Sequence, residues 1–177
     1  MSELKEELRY VNKEKIEQTA ERAINDKDIL DELVEISLRN DEYISQHAAL
    51  IILAIAKANQ EKLSSYLPDI IDTIPNMVND SQLGNFIEML GHVEADCSKL
   101  YDFLFDIIEV SEKPGFVKIY SIKMLGITAQ RDETLKQRLI EFIETKNDGL
   151  KSKYLRKEAT NVLRELKGES TGENTFI

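Results

Sequence analysis

Tryptophan is absent from this chain of 177 residues, cysteine occurs once, histidine twice and proline three times. Each scarcity excludes something. With Cys97 alone no disulfide can close within the chain, which fits a reducing compartment. His92, Glu94, Asp96 and Cys97 cluster in sequence, but at no zinc-binding spacing, and the other histidine, His47, lies two helices away. No Gly-x-Gly-x-x-Gly or Walker loop occurs, so nucleotide phosphates have no obvious cradle. Long apolar runs are also missing. AALIILAIA, from Ala48 to Ala56, is followed at once by Lys57 and falls short of the roughly 20 residues a membrane span needs. The N-terminus MSELKEELRY alternates acid and base with no apolar stretch, so no secretory leader is expected. These absences lead to the expectation of a cytoplasmic protein with no metal, no cofactor and no membrane partner.

What the chain has in abundance is charge, unevenly spread. The formal net charge is −10, which argues against bulk attraction to phosphate backbones. Residues 63 to 112 hold ten carboxylates against the single base Lys99, whereas 113 to 167 hold thirteen bases against seven acids. Such polarity suits either solvated faces of different sign or a surface that steers a charged partner, including a second copy of the chain in a homo-oligomer.

Helical periodicity is nearly continuous, and strand signals are almost absent. The spacing predicts helical segments near 3–9, 12–25, 27–39, 41–59, 60–77, 80–94, 97–112, 115–130, 132–146 and 150–167. Their junctions carry helix punctuation at Asn25-Asp26, Asn40-Asp41, Asn79-Asp80, Pro114-Gly115, Asn147-Asp148-Gly149 and Gly168. In YLPDIIDTIPNM, Pro68 suits a first helical turn and Pro75 a stop, so the two prolines bound one short helix. Connections this short imply antiparallel neighbours.

A repeat is also visible. LAIAKA at Leu53, LGHVEA at Leu90, LGITAQ at Leu125 and LRELKG at Leu163 align, with the leucines 37, 35 and 38 residues apart. The preceding helices align too, through Leu33/Val34, Ile70/Ile71, Phe103/Leu104 and Leu139/Ile140. After the aligned leucine come Ala54, Gly91 and Gly126. A mid-helix glycine costs about 1 kcal/mol relative to alanine, so a close packing partner is expected there. Arg164 breaks the column in the last repeat, as a capping repeat would.

On these residues the chain resembles the HEAT-type repeat family. LPDIIDTI looks like a first helix, and FIEMLGHVE and SIKMLGITA look like second helices ending in a leucine-glycine pair. The resemblance implies an all-α, right-handed superhelix, a HEAT/ARM-like solenoid of about four helical hairpins. Residues 1–168 would form a single domain, with 1–26 an N-terminal cap, hairpins at 27–59, 60–95, 96–131 and 132–168, and 169–177 a flexible tail. The regular Asp and Arg of the fuller HEAT pattern are missing, so an armadillo-like or irregular helical repeat stays open. VKIYSIKMLG and KSKYLRKEATNVLREL also resemble the C-terminal part of small stand-alone bacterial helical-repeat proteins, some of which carry an adenylosuccinate lyase label. The lyase loop is not found here: Ser64-Ser65 runs straight into Tyr66-Leu67-Pro68.

In a stack of hairpins the second helices line a common surface. Taking one face of each gives Ile44, Ala48, Ile51, Ile55; then Ser81, Asn85, Glu88, His92; then Phe116, Tyr120, Lys123, Ile127; then Tyr154, Glu158, Asn161, Glu165. Asn85, Glu88, His92, Tyr120, Lys123, Glu158 and Asn161 are the candidate recognition residues, unless they are ordinary solvated polarity with Tyr120 half-buried. The expected function is a non-catalytic protein-interaction or scaffold module. A small-ligand-binding or enzymatic helical-repeat protein is the alternative. The basic stretch around Tyr154 gives a weaker nucleic-acid alternative, and Thr175-Phe176-Ile177 matches a PDZ-type C-terminal pattern.

Overall fold

The computed structural model describes residues 2–40, 43–109 and 112–169. Among them are ten α-helices and no strand: α1 (Glu3–Glu7), α2 (Lys13–Asn25), α3 (Lys27–Ser37), α4 (Ile44–Ala58), α5 (Leu67–Thr73), α6 (Asp80–His92), α7 (Tyr101–Glu109), α8 (Gly115–Ala129), α9 (Glu133–Lys146) and α10 (Lys153–Leu166). Short 3₁₀ turns occupy Gln60–Leu63, Ile74–Asn76, Ser98–Leu100 and Asn147–Gly149. The C-terminal segment, with Thr175-Phe176-Ile177, lies outside the described residues.

Helix starts follow the polar residues that can satisfy orphan amides. Asn12 accepts from Lys15 N at 2.9 Å, Asp26 from Asp28 N at 3.0 Å, Asn79 from Gln82 N at 2.9 Å and Asp132 from Thr134 N at 2.8 Å. Pro68 stands in the first turn of α5, and Pro75 falls in the 3₁₀ turn that ends it. Residues 60–77, expected as one segment, therefore divide into a 3₁₀ turn, a short α-helix and another 3₁₀ turn. Proline explains the division: neither Pro68 nor Pro75 has an amide hydrogen to donate back into a preceding turn, so neither continues a helix begun before it.

The chain divides into two compact units, Met1–Val93 and Glu94–Ile177. In the first, α4 is central, with α2, α3 and α6 packed against it. This explains why AALIILAIA is apolar on every side. Ala48, Ile51 and Ile55, three of the four residues on the face read from the first repeat, are fully buried core rather than surface. His47 Nδ1 donates to the Leu8 carbonyl at 2.7 Å, tying the N-terminal segment to α4. Buried Gln82, on α6, closes the end of α3 by donating through Nε2 to the carbonyls of Ser37 at 2.6 Å and Arg39 at 2.9 Å.

In the second unit α8 is central, and α7, α9 and α10 pack against it. Gly126 on α8 faces Val162 of α10 at close range. A Cβ there would lie 2.9 Å from Val162 Cγ1, so glycine is required by contact. The α7–α9 seam is aromatic: Phe105 meets Phe142 edge-on with centroids 5.0 Å apart, and the Arg138 guanidinium lies 4.8 Å from the Phe105 ring centroid.

Candidate functional site

Three of the sequence-selected residues lie on α6 in the first unit, and four lie on α8 and α10 in the second. On α6, Glu88 is buried at 8% exposure and carries a charge that needs a partner. Lys57, at the end of α4, supplies it, with Nζ 2.7 Å from Glu88 Oε1. One turn further along α6, His92 Nε2 stands 3.8 Å from the same oxygen. Burial lowers the His92 pKa below its ordinary value, and the Lys57 ammonium lowers it further, against the opposing pull of Glu88. The surroundings of His92 thus favour its neutral imidazole over the charged form. Asn85 is half-buried one turn before Glu88.

Lys57 was missing from the sequence-selected set. Its signal was present: a lone base at the end of an apolar helix must find either water or an anion. Periodicity could not reveal that the anion would be Glu88, 31 residues away.

In the second unit, Phe116, Tyr120 and Lys123 follow one stripe of α8, and Tyr154, Glu158 and Asn161 follow one stripe of α10. The stripes meet where Lys123 Nζ approaches Glu158 Oε1 at 3.8 Å. At their N-terminal ends, Phe116 is 42% exposed and Tyr154 is 65% exposed. Phe116 packs edge-on to half-buried Tyr120, with centroids 6.3 Å apart, and the Lys153 ammonium sits 5.1 Å from the Tyr154 ring centroid. An ion pair thus fixes the middle of this face, while two large rings remain open to solvent at its end.

Cys97 is fully buried, and that burial, aided by Asp96, pushes its thiol up to about 12, far from a nucleophile's range. Among the described residues, no three His, Cys, Asp or Glu side chains converge as a metal site requires. No helix among them is long and apolar enough to cross a membrane. Searches against family models, curated proteins and solved structures find no match to this chain.

Proposed function

We propose that this chain is a HEAT-like helical-repeat protein of the cytoplasm that works as a non-catalytic protein-interaction module. The recognition surface is the second-helix face of the second unit, the stripe formed by α8 and α10. The observation that carries this reading is the pair of exposed rings, Phe116 and Tyr154, beside the fixed Lys123–Glu158 pair. Aromatic side chains held on packed helices offer large contact area at low ordering cost, which is what interface anchors need. The alternation of first and second helices, with α4 against α6 and α8 against α10, supports the repeat architecture. Glu88, buried and paired with Lys57, supports the α6 face from beneath rather than touching the partner.

Affinity capture from the native cell at physiological salt tests the reading. A partner held by the native chain should be lost, by about ten-fold or more, with Phe116→Ala/Tyr154→Ala, while thermal stability stays unchanged. Equal retention by the variant would overturn it.

A further inference from the structure

We propose that the partner is engaged through an acidic peptide segment whose apolar side chain enters the cavity at the heads of α8 and α10; this rests on the interaction-module reading and names the partner's chemistry. The cavity has a volume of about 580 Å³. Its apolar floor is Ile108, Leu150 and Leu155, and the ammonium-bearing side chains of Lys113, Lys118 and Lys151 stand in its wall. Lys118 Nζ is held toward the Ile108 carbonyl at 3.4 Å. Two carboxylates, Glu109 and Glu112, share the lining with the three lysines, and Glu109 also pairs with Lys146, 3.4 Å away and outside the cavity.

The two exposed rings sit on the same helix heads without lining this cavity: Phe116 follows the lining residue Gly115, and Tyr154 precedes the lining residue Leu155. A small apolar well lined by lysines fits an aliphatic or aromatic side chain set between carboxylates. The volume lies within the usual range for binding clefts. Charge points the same way, since residues 113–167 hold thirteen bases against seven acids in a chain of net charge −10. A nucleic-acid strand fits less well: the lysines surround a point rather than follow a track, the floor is aliphatic, and Glu112 would face the phosphates.

Selection of a random short-peptide display library on the native full-length chain tests this. Enriched sequences should place an apolar residue between acids. Their affinity should fall about ten-fold with Lys113→Ala/Lys118→Ala/Lys151→Ala and also on raising salt. Lys151→Glu, a change at an exposed position, should weaken binding as well and guards against misfolding of the triple variant. No enrichment, enrichment of neutral or basic sequences, or affinity indifferent to Lys151 would overturn the inference. So would a single-stranded oligonucleotide that binds in a Lys151-dependent manner while no peptide does. If the inference fails while capture still depends on Phe116 and Tyr154, the interaction-module reading survives; capture indifferent to those rings strikes that reading itself.

Discussion

His92 offers the most direct view of the buried charge cluster on α6. Its pKa is held below the ordinary 6.5 by burial first and by Lys57 second. The unfolded chain therefore takes up the proton at higher pH than the folded chain. Between those two values the unfolded state binds more protons, so stability rises with pH through the window and is complete above about 6.5. Nuclear magnetic resonance of the imidazole should give a midpoint below 6.5, and His92→Gln should remove this part of the acid sensitivity. Lys57→Met should move the midpoint upward, because it deletes the repelling ammonium and leaves Glu88; a downward move would contradict the arrangement. Backbone strain gives a second test at this scale. Glu94 has φ +48° just past α6, a conformation that costs any residue with a Cβ, and Gly168 has φ +74° just past α10. Chemical denaturation should show Glu94→Gly stabilising by about 0.5–1 kcal/mol and Gly168→Ala destabilising by about 1 kcal/mol. The carbonyl of residue 94 keeps its bond from Arg131, at 2.8 Å, in either case.

At the scale of elements, the α8–α10 contact sets the separation of the two stripes that carry the candidate face. Gly126→Ala should cost about 1–3 kcal/mol, because Val162 is β-branched and has little rotameric room to retreat from a Cβ at 2.9 Å. Adding Val162→Ala should recover part of that loss, and a double-mutant cycle in denaturant measures the coupling. Strict additivity would mean that the two residues do not press on each other. Gly126 was legible in the sequence, because it sits in a small-residue column after an aligned leucine. Helix starts at Asp26, Asn79 and Asp132 were legible for a similar reason, since a cap is a local interaction between neighbours in sequence. The segment 60–77 was not resolved beforehand into a helix between two 3₁₀ turns, because periodicity cannot distinguish the tighter winding from the α-helix over three or four residues. The unbroken apolar run AALIILAIA already implied a buried helix, and Ala48, Ile51 and Ile55 are core; what the run could not show is which neighbours, α2, α3 and α6, cover it. The lysine-walled cavity was invisible for the same reason: its lining comes from α7, the two helix heads and the turn before α10, which only folding brings together.

For the whole molecule, the charge break seen in the sequence, between residues 112 and 113, falls inside the second unit, while the net charge divides unequally between the units. The unit Met1–Val93 contains eighteen acids against nine bases, and Glu94–Ile177 contains fifteen against fourteen. Nearly all of the net negative charge thus belongs to the first unit. The second is close to neutral, with its bases gathered toward the C-terminal helices. For the acidic partner proposed above, this distribution favours approach to the C-terminal helices over the first unit. Solvent-exposed aromatic residues elsewhere, Tyr10 at 81% and Tyr43 at 70%, supply an internal control. Hydroxyl-radical footprinting of the chain with and without its captured partner therefore tests the central claim most directly. The expected result is strong protection of Phe116 and Tyr154, with Tyr10 and Tyr43 still oxidised at their free rates. Protection of Tyr10 and Tyr43 with Phe116 and Tyr154 left reactive would contradict it.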